Sequence, residues 1–403
     1  LHLSIRRQRQ MCIRDRCYRL ISITMSRVDG KKSDAIHGDI QLSLDPSCYW
    51  DKSFFETEIR SIFRQSWISV GRFDRVPNRG DYLALEVGGI PLIITRDDAG
   101  NLNALANSCR HRGTQLLDPG RGHCQRIICP FHGWSYALDG SLLSAPKMSG
   151  VADFDLATYP LQRIPVEVRA GFIFVDPLGQ AGDIDDWLGD FEALHMPWDI
   201  SRLLTGYDTS LEVGCNWKAF LEVFNEYYHL PKVHPKSFSL YYATPDPGDQ
   251  VRGNFATQFG RHQGTRSVAK VSDGSKPLPI FPGLKGRNRN GTRYTWLFPG
   301  LSFAVSSDAL WSFIVEPLSP KRTRVTLGVC FAPEVMQEDD FAERLAPYRQ
   351  RMQEGLQEDL EVLKRQQHGL TSPLAHPGPY APVLEDSVQQ FHGWLRHRLP
   401  TIT

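Results

Sequence analysis

Cys109-Arg110-His111-Arg112-Gly113 and, with seventeen residues between His111 and Cys129, Cys129-Pro130-Phe131-His132 put two thiols and two imidazoles into the short pairs C-x-H and C-x2-H. Each pair can clamp one metal centre from a tight turn. Four such donors suit either a tetrahedral zinc ion or an iron–sulfur cluster with mixed ligands. Zinc sites favour C-x2-C or H-x3–5-H pairs of one ligand type. Mixed pairs on two β-loops instead suit a [2Fe–2S] cluster in which two cysteines hold one iron and two histidines the other. Replacing two thiolates by neutral imidazoles makes such a cluster less negative and raises its potential. His123 and Cys124, between the two pairs, read as structural.

The rest of the chain is consistent with a metalloprotein of ordinary globular make-up. Its 403 residues carry 46 Lys+Arg against 45 Asp+Glu, a balance that excludes a phosphate-tracking surface and so a nucleic-acid partner. No apolar run approaches the roughly 20 residues of a membrane span. Eight cysteines are too few for a disulfide scaffold in a chain of this length, so the expectation is a cytoplasmic protein of two or three domains. Residues 1–24 are rich in arginine and read as a non-native or disordered leader. The run MCIRDR within them resembles translated adapter sequence, and Met25 is a plausible start. A basic targeting arm is the rival reading.

Apolar residues at a 3.6-residue period predict an amphipathic helix over 53–67, capped by Ser53. Short β-like runs follow at 82–87, 90–95, 102–106, 134–138 and 166–175. Turn chemistry at Pro177-Leu178-Gly179 marks a boundary, which gives segments 25–65, 66–179 and 180–403. In the second half, 216–234 reads as a largely buried helix that Pro231 and Pro235 end or kink. Strands are expected at 294–298, 301–305, 310–315 and 322–331, a charged helix over 339–367, and long loops between Pro245 and Gly291.

Within 216–234, Glu226 and His229 would lie one helical turn apart, with His234 just beyond a proline. Two histidines alone often merely pack or cap. An iron that activates O2 takes two histidines and one carboxylate and keeps open positions, so the carboxylate should come from elsewhere in the chain.

The first motif resembles that of the Rieske non-haem iron ring-hydroxylating oxygenases, alpha (terminal oxygenase) subunit, whose signature also has Arg-Gly after the first histidine and an aromatic before the last. Arg112, Gly113 and Phe131 match. Asn216-Trp217-Lys218 ahead of a carboxylate-x2-His-x4-His run is a second family pattern. The resemblance covers nearly all of residues 40–400. It implies an α+β fold, with a small all-β [2Fe–2S] domain and a catalytic domain whose antiparallel sheet wraps around helices in helix-grip, START-like fashion. Cys109, His111, Cys129 and His132 would then hold the cluster, and His229, His234 and Asp359 a mononuclear Fe(II). Asp359 sits in Glu358-Asp359, seven residues before Gln366. Without the resemblance it would pass for one more solvated helix charge. The resemblance makes Glu226 the non-ligand bridge that hydrogen-bonds an iron histidine and, across a subunit boundary, a cluster histidine, with His132 the expected partner. Glutamate at that position, where many relatives have aspartate, points to the branch of glycine betaine, carnitine and choline monooxygenases.

A dinucleotide fingerprint is missing: Gly120-Arg121-Gly122 has no βαβ context. A separate NAD(P)H-dependent flavin reductase, with or without a ferredoxin, is therefore implied, and the family's rings of three imply a homotrimer, a small β subunit being the alternative. The expected reaction is hydroxylation or oxidative N-dealkylation of a small aromatic or quaternary ammonium compound. Glu222, Phe224, Tyr228, Trp296, Phe298, Phe303 and Trp311 are the expected pocket, where aromatic faces would attract an ammonium head. A Rieske-type electron carrier would need only the first motif, and a zinc-binding module would need neither Glu226–His234 nor Asp359.

Overall fold

The computed structural model describes residues 41–239, 242–263 and 278–399. The expectations for residues 1–24 and for a start at Met25 lie outside them. Asp51, not Ser53, opens the first helix, α1 (Lys52–Glu58): its carboxylate accepts from the Phe54 N–H at 2.8 Å, and the Ser53 hydroxyl turns back to the same group. An aspartate just before the first helical residue reaches the free N–H groups that the expected serine, already inside the helix, does not. The coil then widens into a π-turn, Ile59–Phe63, and ends before Trp67.

Next come β1 (Ile68–Arg72), β2 (Asp81–Val87), β3 (Ile90–Arg96), β4 (Leu102–Ala106), β5 (Gly120–His123), β6 (Ile127–Ile128), β7 (Ser135–Tyr136), β8 (Leu142–Ser144), β9 (Arg163–Ile164), β10 (Val166–Arg169) and β11 (Phe172–Val175). A five-stranded sheet in the order β5-β2-β3-β4-β9 and a three-stranded one, β6-β7-β8, enclose a small core of their own that includes Ile93, Leu105, Trp134, Tyr136, Cys109 and Cys129. The run 166–175 is a hairpin rather than one strand. Ala170 and Gly171 take φ of +49° and +76°, the twist a two-residue hairpin turn requires. β10 and β11 join β1 in a separate sheet, and Phe172–Val175 pack into the second, larger core.

That larger core is built on β12 (Leu204–Val213), β13 (Phe255–Arg261), β14 (Gly291–Leu297), β15 (Leu301–Val305), β16 (Leu310–Ser319) and β17 (Arg322–Phe331), antiparallel in the order β12-β17-β16-β15-β14-β13. Across its centre Tyr294, Ala304 and Trp311 stand side by side, as do Trp296, Ser302 and Phe313. These two rows share one face, because side chains two residues apart on a strand point the same way. Three helices cover that face: α2 (Trp217–Phe224), α3 (Phe341–Leu370) and α4 (Asp386–Arg398). Phe220 and Phe224 of α2 meet Phe313, and Phe391 of α4 stacks on Trp296 at 3.9 Å.

β13 lies inside the stretch expected to be loop. Its middle residues, Thr257 and Gln258, are polar yet fully buried, because Thr257 donates to the Tyr294 carbonyl and Gln258 to the Asp246 carbonyl. β12 and α4 were not anticipated either. The expected helix over 216–234 breaks at Asn225, whose backbone leaves the helix (φ −107°, ψ 17°) and whose amide closes on the Leu221 carbonyl and the Ser302 hydroxyl. Pro231 begins a separate helical turn, Leu230–Val233, rather than ending a helix.

α2 and α3 are clamped together away from this break. The Gln367 side chain on α3 accepts from the Asn216 N–H at 2.6 Å and donates to the Tyr49 carbonyl. Next to it, Lys218 is buried in an ion pair with Glu58 at 2.7 Å and boxed by Tyr49, Phe54 and Trp217. The Asn-Trp-Lys motif thus fixes where α2 begins, and with it where the chain must turn at Asn225.

Candidate metal centres and pocket

The two cysteine–histidine loops close in the same way. The Cys109 N–H donates to the Thr114 carbonyl and Gly113 donates back to Cys109, while Cys129 pairs with Trp134 and Gly133 with Cys129. Both glycines have φ of +73°, a left-handed turn that disfavours any other residue. Each loop therefore buries its cysteine, 3% exposed in both cases, and puts its histidine outside. His111 and His132 meet with their Nδ1 atoms 3.2 Å apart. The Tyr136 hydroxyl lies 3.3 Å from the Cys109 sulfur and accepts from the Arg110 N–H. Burial, helped by Cys109, holds that phenol well above its usual pKa, so it remains a neutral hydrogen-bonding group beside the thiol. Two buried thiols and two exposed imidazoles on paired loops are the kinds of donor a mixed-ligand [2Fe–2S] cluster needs. His123 lies apart from this set, bonded to Asp81 at 2.9 Å.

The second set forms where the turn after α2 meets the middle of α3. His229 Nε2 lies 3.6 Å and His234 Nε2 2.9 Å from Asp359 Oδ1, and one ligand atom from each residue falls within 4.8 Å of the others. Apart from these imidazoles, Asp359 Oδ1 is buried without a hydrogen-bond donor. An unmatched carboxylate oxygen between two imidazole nitrogens fits a divalent cation. Glu226 is not part of this cluster. It caps its own turn, accepting from the Tyr228 and His229 N–H groups and from His229 Nδ1.

A third carboxylate, given no role from the sequence, completes the surroundings: Glu358 Oε2 lies 2.6 Å from His234 Nδ1 and accepts from the Ser237 hydroxyl at 2.6 Å. Burial alone would push the His234 imidazole down, but Asp359 and Glu358 together hold it above its usual value. The signal was present in the sequence, because neighbours on a helix point about 100° apart and can grip the two edges of one ring.

A cleft with about 510 Å³ of empty space, part of it open to solvent, adjoins this set and is walled by Phe224, Tyr227, Phe238, Tyr294, Trp311 and Phe313. Two of the seven expected pocket residues, Phe224 and Trp311, line it. The structure places the other five outside it. Tyr228 is 62% exposed and does not line the cleft. Glu222 is buried against the Tyr49 hydroxyl and His392, at 2.7 and 2.9 Å. Trp296 is on the same face as Trp311 but lies under Phe391 of α4, and Phe298, just past the end of β14, packs on the same ring. Phe303 is in register with Thr295 and Ser312, hence on the opposite face, among Phe172, Phe191 and His195. Tyr227, Phe238, Tyr294 and Phe313 went unread, although Tyr294 and Phe313 share the pleat of Trp311.

Among known proteins, residues 200–401 match the ring hydroxylating alpha subunit (catalytic domain) and residues 66–160 the Rieske [2Fe-2S] domain. The chain is 28% identical to the glycine betaine monooxygenase oxygenase subunit of Pseudomonas aeruginosa, with 90% of each chain covered. It is 30% identical to that of Chromohalobacter salexigens, over 87% of this chain and 84% of the relative. The solved structure of the quaternary ammonium Rieske monooxygenase CntA with L-carnitine superposes with a TM-score of 0.74 at 25% identity, covering 89% of this chain and 96% of the other. Naphthalene 1,2-dioxygenase with indole bound shares the fold at a TM-score of 0.73 and 20% identity. Among the described residues no helix is long and apolar enough to cross a membrane.

Proposed function

Because this chain belongs to the ring-hydroxylating oxygenase alpha subunits, terminal oxygenases that carry a Rieske [2Fe–2S] cluster and a mononuclear non-haem iron and draw electrons from a separate reductase, we propose that it hydroxylates a quaternary ammonium compound. Residues 66–179 form the cluster domain in this reading and 180–403 the iron domain, with the described residues 41–65 packed against the latter. Cys109, His111, Cys129 and His132 hold the cluster, and His229, His234 and Asp359 hold the iron. The mononuclear iron, when bound, supplies open coordination positions for reducing O2 beside the substrate.

The chain's own residues do the rest. Glu226 and Glu358 each hold the proton on the Nδ1 of one histidine, which leaves both Nε2 atoms free to face Asp359. The aromatic walls exclude water and orient the substrate. The observation that carries the ammonium reading is the cleft itself, which is lined by Phe224, Tyr294 and Trp311 together with Glu226 and Asp359. A cation is attracted by both features, whereas a neutral aromatic ring would use only the first. The similarity to betaine, choline and carnitine monooxygenases supports the same class.

The net reaction consumes one C–H bond, one O2, two electrons and two protons, and yields a C–OH group and one water. On an N-methyl group the resulting hemiaminal releases formaldehyde and leaves the demethylated amine. A homotrimer in the cytoplasm, in which His132 of one subunit faces Glu226 of the next and an NAD(P)H flavin reductase supplies the electrons, completes the proposal. The test is O2 uptake by reductase-coupled enzyme with glycine betaine, choline and carnitine against naphthalene and benzoate. Substrate-dependent uptake matched by product from one of the amines supports the reading. Turnover of the aromatic compounds alone overturns the substrate class.

A further inference from the structure

We infer that Glu358 is a positioning residue for the iron site, setting the tautomer and ring orientation of His234. This rests on the reading of His229, His234 and Asp359 as iron ligands. His234 is 2% exposed, so its Nδ1–H must find a partner inside the protein. The partner is Glu358 Oε2 at 2.6 Å, and the same oxygen takes the Ser237 hydroxyl at 2.6 Å. Around it lies an open groove formed by Lys236, Gln353, Glu354, Gln357 and Glu361. The Glu358 side chain is 36% exposed there. Such a carboxylate loses little by staying in water, so its two short bonds inward answer to what they hold in place.

What they hold is the ring that places Nε2 2.9 Å from Asp359 Oδ1. Glu358 and Asp359 are consecutive on α3, so one turn of helix fixes a ligand and the orientation of its neighbour together. The arrangement mirrors Glu226 on His229, but the two carboxylates come from different elements: Glu226 from the turn after α2, Glu358 from α3. Both imidazoles are thereby set as Nδ1–H, and any shift of α3 moves Asp359 and the support of His234 as a unit.

The experiment is an anaerobic Fe(II) titration of the full chain, its cluster intact and its mononuclear iron removed, followed by near-infrared magnetic circular dichroism of the bound Fe(II). Glu358→Ala is expected to weaken Fe(II) binding about 10–100-fold and to shift the ligand-field bands, with cluster content unchanged. Glu358→Gln keeps an acceptor oxygen for Nδ1–H and is expected to recover most of that loss. Glu361→Ala removes a charge from the same groove and is expected to bind as the parent does; among the described residues no hydrogen bond joins Glu361 to His234. Parent-like affinity and bands in Glu358→Ala overturn the inference, as does an equal loss in Glu361→Ala, which would mark a general charge effect. If the parent binds no Fe(II) beyond its cluster, the ligand reading itself fails and takes the inference with it.

Discussion

His234 Nε2 stands 2.9 Å from Asp359 Oδ1, which ties the turn after α2 to the middle of α3. Neither element makes a site alone. The break at Asn225 turns His229 and His234 toward α3, and the clamp of Gln367 on Asn216 holds α3 where Asp359 can meet them. The proposed iron ligands thus depend on residues outside their own set. Loss of the Gln367 amide should loosen the site without removing any donor.

Glu226→Gln tests the proposed bridge. Glutamine can still accept from the Tyr228 and His229 N–H groups, so the turn should survive, but the charge that supports His229 is gone. Both metal centres should be retained while single-turnover product formation from pre-reduced enzyme falls about 10–100-fold. Full-rate turnover in this variant would remove Glu226 from the electron path.

Trp311→Leu and Phe303→Leu separate the two faces of the sheet. Trp311 lines the cleft, so its loss should weaken a quaternary amine by about 0.5–2 kcal/mol, read as a KM increase of roughly 2- to 30-fold, with little effect on a neutral isostere. Phe303, buried on the other face, should leave KM unchanged and lower stability by about 1 kcal/mol. The reverse pattern would place the substrate elsewhere.

Acid should weaken the fold through His195. Burial holds this imidazole down to about 3, although the Phe191 carbonyl accepts from Nδ1, and the Thr295 hydroxyl faces Nε2. The unfolded chain takes up a proton near pH 6.5. Between those values the unfolded state binds a proton that the folded state refuses, so this contribution is intact above about pH 6.5 and lost as pH falls toward 3. From pH 7 to pH 5 the loss is about 2 kcal/mol. Urea unfolding at the two pH values should show that extra loss in the parent and not in His195→Gln; identical pH dependence in both would exclude His195 as the cause.

The cluster loops were legible because their chemistry is local: two pairs with fixed spacing, each followed by a glycine that the turn requires. The proposed iron site was legible only in part. Its histidines and Asp359 are far apart in sequence, and the meeting of α2's end with α3 has no local signal beyond the family pattern. The pocket was the least legible. Whether an aromatic on a strand faces the cleft depends on register and on what covers it, and α4, which hides Trp296 and Phe298, had not been read as a helix. β13 escaped for a related reason, since the hydrogen bonds that allow Thr257 and Gln258 to be buried come from distant residues.

The most direct test of two separate metal centres is iron and acid-labile sulfide per chain, for the parent, Asp359→Ala and Cys109→Ala. The account predicts about three irons and two sulfides in the parent, loss of one iron with the sulfide kept in Asp359→Ala, and loss of the cluster in Cys109→Ala. About two irons and two sulfides in both the parent and Asp359→Ala would contradict it, leaving an electron carrier with no oxygen-activating iron.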